Sequence, residues 1–291
     1  MVKRDTRLGK VSNFYEGQTV FFATKHGKEE ILAPLFRGVG LACKAIPVDT
    51  DEFGTFSGEV ERRGSVREIL RNKIQAAARL HPSGRLFLAS EGSFGPHPLI
   101  GFLPTDLESL LLWDCESRIE IYAEYLCRRP IHREVRLTAR DDFRDFLRSI
   151  DFPSHAVIVH PHGKIQPIFK GLRTELEVAQ AMLECFLQSE DGTVTLLTDL
   201  RADQNETRRK AIAEAGRAMI EKLQSICPEC STPGFGIVSG VPGMVCEACG
   251  EATSIPRAVL YECVRCGFVH ERPRPDGKQV VHAEECEHCN P

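Results

Sequence analysis

The chain has no run of about 18 apolar residues, so its sequence predicts no membrane-spanning helix. Its opening, MVKRDTRLGKVSNF, has no apolar core segment and does not read as a secretory leader. A large excess of either charge is missing. The net value of −4 gives no general pull toward nucleic acid. Between residues 17 and 226 there is no internal repeat and no low-complexity segment, so this stretch is not a repeat array.

What is present is a chain of 291 residues, 42% hydrophobic, enough for one large domain or one domain with an appendage. Twelve cysteines are many for this length. Four of them, Cys43, Cys115, Cys127 and Cys185, are scattered and read as ordinary buried thiols, with no evident histidine partner for thiol catalysis. The other eight form four C-x-x-C pairs after residue 226: Cys227/Cys230, Cys246/Cys249, Cys263/Cys266 and Cys286/Cys289. Fifteen residues separate the first two pairs and nineteen the last two, which fits the zinc-ribbon spacing. Without a secretion signal, such pairs mean zinc before disulfides, and the cytoplasm is the expected compartment. Two structural four-cysteine zinc sites follow. Sequential pairing is the simplest arrangement, and an interleaved one stays open. A site with four protein ligands has no open position, so it is structural. From Cys227 onward there are five basic and nine acidic residues, the whole excess of the chain. An acidic tail that also carries thiolates opposes phosphate contacts. Its expected role is stability, homodimerisation or docking of a protein partner.

The pattern upstream alternates strands and helices. Residues 18–23, 42–48, 84–90, 107–113, 118–126, 156–159, 165–169 and 193–199 read as strands. Helices are expected after Gly27, over 66–80 (capped by Ser65 with Glu68), over 141–150, over 174–188 and over 205–226. The fold class is therefore α/β: a mixed-sheet domain over 17–226, a polar lead-in over 1–16, and a small zinc-ribbon region over 227–291.

Four segments of the body carry candidate chemistry. Thr24, Lys25 and Lys28 lie where a strand turns into a helix, and free amides with two lysines there suit an anion. Glu68 and Lys73 share the next helix. Glu68 already serves the cap, while Lys73 is an odd residue on an apolar stripe, either snorkelling or reaching a ligand. Glu91 follows the apolar run Leu86–Leu88 in a stretch of small residues, either as a solvated turn residue or as an acid aimed at a metal, a proton or a cation. Asn205, Arg208 and Arg209 open the last helix, where two arginines oppose the helix dipole and so hint at a ligand. Weaker candidates are His160 with His162 as metal ligands and Asp49 with Asp51 as a phosphotransfer nucleophile. Carboxylates with scattered lysine and arginine suggest phosphate chemistry with Mg²⁺, which needs only one or two protein carboxylates.

The order of these segments resembles the inosine/xanthosine triphosphate pyrophosphatase family. The similar stretches are Thr24–Glu30, Glu68 five residues before Lys73, Glu91 before a small-residue loop, Gln166-Pro167-Ile168-Phe169, and Asn205 before Thr207-Arg208-Arg209. The resemblance implies an elongated α/β fold and Mg²⁺-dependent cleavage of nucleoside triphosphates to monophosphate and pyrophosphate. Glu91 and Glu68 would then hold the metal, and Lys28, Lys73 and Arg208 or Arg209 the phosphates. Gln166 stands where that family has a base-reading aspartate, so no base preference carries over. The stretches DTDEFGTFSGE, ASEGSFGPHP and TDLRADQN, with the double zinc tail, also resemble a bacterial family defined only as a domain of unknown function.

The expectation is a Mg²⁺-dependent hydrolase of a nucleoside triphosphate or related phosphate compound, with Glu91, Glu68 and Lys73 as catalytic residues. The alternative is a non-catalytic zinc-ribbon protein that binds a small anionic ligand and a protein partner.

Overall fold

A computed structural model describes residues 14–25, 27–53, 64–96, 104–164 and 166–291. Parts of the expected lead-in, of the loop after Asp49 and of the stretch after Pro96 lie outside these residues, as do His26 and Ile165. The chain divides into two compact units, one of Gly17–Ile220 and one holding Glu221–Pro291.

The first unit is α/β with two sheets. Strands β1 (Thr19–Thr24), β2 (Ala42–Pro47), β3 (Leu86–Pro96), β4 (Pro104–Asp114) and β5 (Ile119–Cys127) form a mixed sheet in the order β2-β1-β3-β4-β5. The first three strands run parallel, and β4 and β5 are antiparallel additions. Helix α1 (Lys28–Gly38) joins β1 to β2, and α2 (Val66–Leu80) joins β2 to β3. Apolar residues Leu70, Ile74 and Ala77 of α2 pack onto Ala23, Phe87, Ala89 and Leu111, which share one sheet face by strand alternation. Residues of opposite parity, Thr24, Ser90, Gly92, Glu108 and Asp106, point to the other face.

Strand β3 is longer than its sequence suggests. Pairing with β1 stops at Ala89, yet β3 continues to Pro96 because β4 pairs with it along its whole length. Glu91 therefore sits inside a strand, opposite Ser109, and not in a loop at a strand tip. The small residues after it are tolerated there because antiparallel pairing, rather than side-chain propensity, holds the segment.

The second sheet is antiparallel, in the order β6 (Glu134–Thr138), β9 (Thr193–Thr198), β7 (Val157–Pro161), β8 (Phe169–Leu172). Helices α3 (Arg144–Ser149) and α4 (Glu175–Gln188) cover one face, burying Phe146, Val178, Met182 and Cys185 against Val157, Val159, Val194 and Leu196. Strand β6 has no counterpart in the sequence reading, and β8 starts at Phe169, after a cis Gln166–Pro167 bond, rather than at residue 165. Helix α5 (Glu206–Gln224) packs against α1 at Gly216, where a Cβ would lie 2.6 Å from both Leu32 and Leu35.

The second unit contains a three-stranded antiparallel sheet, β10 (Gly236–Pro242), β11 (Pro256–Glu262) and β12 (Val269–Pro273). Its two small cores are built around cysteines: Cys227 and Cys263 with Phe235, and Cys246 and Cys286 with Met244 and Val281. No helix among the described residues is long and apolar enough to cross a membrane.

Candidate functional site

The eight paired cysteines form two four-thiol groups, Cys227/Cys230/Cys263/Cys266 and Cys246/Cys249/Cys286/Cys289. Pairing is thus interleaved, first with third and second with fourth. In each group the ligand sulfurs lie within 4.8 Å of one another. Sulfur separations are 3.5 Å for Cys230–Cys263, 3.8 Å for Cys227–Cys266 and Cys249–Cys286, and 3.9 Å for Cys246–Cys289. A tetrahedral zinc with Zn–S near 2.3 Å sets sulfurs ~3.8 Å apart, so both groups fit the ion. The four C-x-x-C turns share one backbone device. The amide four residues on returns to the first cysteine's carbonyl, from Ser231, Gly250, Gly267 and Asn290, at 2.9 to 3.1 Å. At Ser231, Gly250 and Gly267 this needs a left-handed backbone, which glycine adopts most freely. Amides of Ala248 and Arg265 donate to the sulfurs of Cys246 and Cys263 at 3.4 Å, which steadies the thiolate form of each.

The scattered cysteines are less uniform than expected. Cys185 is buried, Cys43 and Cys127 are half-buried, and Cys115 is exposed. Burial pushes the Cys43 thiol up to about 12 and that of Cys185 to about 11, so neither is a thiolate.

In the first unit, charged side chains gather beyond the end of β1, where parallel α/β sheets usually place ligands. Lys73, on the α2 face, is 5% exposed and forms an ion pair with the equally buried Glu91, while its ammonium also donates to Ser90 O at 3.2 Å. This resolves the odd lysine on the apolar stripe: a buried acid waits for it. On the opposite face, Lys28 Nζ donates to Ser90 Oγ at 2.9 Å. Lys28 is partly exposed as a residue because it opens α1, but its ammonium is enclosed. Burial, then the charge of Arg208, pulls its pKa down to about 8. Further along that face, Arg208 Nε donates to Glu108 Oε1 at 2.6 Å. Its guanidinium also reaches Leu200 O and lies 5.6 Å from the Phe94 ring. Gly92, opposite Glu108 on β3, makes room for this pair, since a Cβ there would sit 2.6 Å from Glu108 Oε1. Asp106, two residues before Glu108, is buried, and among the described residues its Oδ1 lacks a hydrogen-bond partner. Thr24 Oγ1 is likewise buried and unpartnered among them.

The structure thus brings Thr24, Lys28 and Arg208 to one face and Lys73 with Glu91 to the other. It does not bring the remaining candidates there. Glu68 is exposed, and it closes the capping box by accepting from Ser65 N at 2.7 Å. Lys25 pairs with Asp49 at 2.7 Å on the surface, and this also occupies Asp49. Asn205 caps α5, accepting from Arg208 N at 2.9 Å. Arg209 lies 3.7 Å from Glu30, beside a cleft of about 320 Å³ shared with Arg173, Asp203 and Glu206. His160 bonds the carbonyls of Pro161 and Lys164, and His162 bonds Thr195 Oγ1. Among the described residues, metal-type clusters occur only at the cysteines. Sequence reading missed Asp106 and Glu108. The available signal was two acids spaced by one residue, and so on one face, at the start of an otherwise apolar strand.

Comparisons with known proteins add a family but no activity. No curated protein matches the chain. Among solved structures it is similar to the crystal structure of protein VC0702 from Vibrio cholerae, with 13% identity, 70% of this chain and 93% of that chain covered, and a TM-score of 0.31. A score that low carries no argument about fold or function, and the resemblance to inosine/xanthosine triphosphate pyrophosphatases is not shown. A family profile described as "Domain of unknown function (DUF6671)" matches residues 77–291. That span covers most of the chain, including β3, β4, α5 and all eight paired cysteines, and the protein belongs to this family.

Proposed function

We propose that the first unit binds and hydrolyses a nucleoside triphosphate or a related phosphate compound at the face of Lys28 and Arg208. One observation carries this reading. The enclosed ammonium of Lys28 has three N–H donors, and among the described residues its bonded partner is a neutral hydroxyl, Ser90 Oγ. An enclosed cation without a bonded carboxylate is costly unless an anion completes it. Phosphate oxygens meet that need, and Arg208 and Thr24 Oγ1 lie on the same sheet face.

In this reading Lys28 and Arg208 hold the phosphates. Glu91, fixed by Lys73 on the opposite face, acts around the edge of β3 past Ala89, where pairing with β1 has stopped and its charge reaches Lys28 and Arg208, and orders the water that attacks phosphorus. Glu68 and Glu91 do not suit a shared magnesium ion. Glu68 is spent on the helix cap and Glu91 on Lys73. Positions five apart on a helix also differ by ~7.5 Å along the axis and ~140° around it. The zinc ribbons are closed four-thiolate sites and serve stability, or assembly with a second copy or a protein partner.

The test is release of phosphate or pyrophosphate from a panel of nucleoside triphosphates, with Mg²⁺ present as substrate counter-ion. Wild type is compared with Glu91→Gln. Turnover that the variant loses supports hydrolysis. Anion binding without turnover in either protein would instead mark a non-catalytic binding protein.

A further inference from the structure

Asp106 is a buried carboxyl on this face with no part in the proposed hydrolysis. It is 1% exposed, and among the described residues its Oδ1 has no hydrogen-bond partner. On β4 it shares a face with Glu108 two residues later. The groups around it come from every neighbouring element. Arg208 approaches from α5 and Lys28 from α1. Phe94 stands opposite on β3 and Cys127 opposite on β5, and His132 packs edge-on against Phe94. Lys73 and Glu91 lie on the far face of the sheet.

Two buried carboxyls this close resist sharing full charge. The choice between them is settled by geometry. Glu108 takes the guanidinium of Arg208 at 2.6 Å, an ion pair in which its carboxylate is already matched by a cation. Asp106 has an oxygen with no donor to stabilise an anion. Burial, then the charge of Glu108, moves Asp106 up to about 8, with Arg208 and Lys28 pulling the other way. A carboxyl in that state donates a hydrogen bond at neutral pH instead of accepting one.

We propose that Asp106 enters this site as a neutral carboxyl that donates its hydrogen to a bound oxyanion, so that the face takes a phosphate-type anion and not a metal cation. The inference rests on reading the face as a phosphate site and adds to it a third donor and a direction. With Asp106 neutral, the face carries Lys28 and Arg208 against Glu108 alone, a net positive charge. As pH rises through 8, Asp106 gains a negative charge and Lys28 loses its positive one. Both changes expel an anion.

The probe is pyrophosphate, titrated calorimetrically into the full-length zinc-loaded protein between pH 6.5 and 9, with and without Mg²⁺. Wild-type affinity is expected to fall more than about tenfold from pH 7 to pH 9. Asp106→Asn keeps a donor in the same place. It is expected to bind within about threefold of wild type at pH 7 and to show a shallower fall. In the absence of ligand, Asp106→Asn is expected to melt above wild type at pH 8 to 9, because the penalty of a carboxyl raised from 3.8 to about 8 grows between those values and is fully present above 8.

A variant that folds but loses pyrophosphate at pH 7, or wild-type binding that requires Mg²⁺ and disappears in the variant, overturns the inference and makes Asp106 a charged ligand. Equal pH slopes in the two proteins also overturn it, while leaving the phosphate reading intact. Absence of pyrophosphate binding at every pH overturns both. Binding with the expected slopes but no hydrolysis of any triphosphate supports the inference and removes the hydrolase.

Discussion

Arg208 on α5 donates from Nε to Glu108 Oε1 on β4 at 2.6 Å, joining residues a hundred positions apart, each with a side chain 2% exposed. Breaking a buried pair on one side leaves an uncompensated charge. Glu108→Ala is therefore expected to lose about 3–5 kcal/mol of stability in urea unfolding. Replacing both partners with apolar residues, Glu108→Leu with Arg208→Met, should recover most of that loss. A single variant within about 1 kcal/mol of wild type would show that the pair is not closed in solution.

Gly92 is tied to that pair. The Cβ of Gly92→Ala would meet the Arg208 guanidinium and Glu108 Oε1, both held by other contacts. Overpacking there is expected to cost about 1–3 kcal/mol, measured by thermal or urea unfolding. Gly95, three residues on, has open space at its Cβ, so Gly95→Ala is the control for a change without a clash.

Lys28 gives a pH signature in the ligand-free protein. Its pKa is lowered from 10.5 to about 8, so between those values the unfolded chain holds a proton that the folded chain has released. Stability then rises with pH from about 8 toward 10.5 on this account, and the penalty is fully present below 8. Lys28→Met removes the penalty. The variant should be the more stable protein at pH 7, and its advantage should shrink by pH 10. An advantage that does not change with pH would mean that Lys28 is an ordinary solvated lysine.

Metal content tests the interleaved cysteines. The purified chain is expected to carry two zinc ions, read by elemental analysis. Cys227→Ser with Cys263→Ser should leave one ion, and Cys227→Ser with Cys246→Ser should leave none. Sequential ribbons would give the opposite outcome for each double variant. Chelation should unfold the tail, whose small cores are themselves built around cysteines.

Local chemistry made much of this legible. The Ser65–Glu68 box marked the start of α2, and the C-x-x-C spacing marked the zinc ligands. Long-range pairing was not legible. The extension of β3 past Glu91 depends on β4, and β6 is held by β9, a partner nearly sixty residues away. The pairing of cysteines is likewise a tertiary choice that spacing alone leaves open. At the site, Lys73 stood out because a charge broke an apolar stripe. Asp106 and Glu108 escaped notice because acids near a strand end are common at surfaces, and the groups that meet them, Arg208 from α5 and Lys28 from α1, are distant in sequence. Glu68, by contrast, looked like a ligand by its distance from Lys73, but its carboxylate was already committed to the cap.

The most direct measurement is phosphate and pyrophosphate release from a panel of nucleoside triphosphates by wild type, Lys28→Met and Glu91→Gln, each verified as folded and zinc-loaded. The account predicts release by wild type from at least one compound. It also predicts a rise in KM or loss of binding in Lys28→Met, and loss of turnover in Glu91→Gln. Release that is indifferent to Lys28→Met, or no release and no anion binding by wild type, would contradict it.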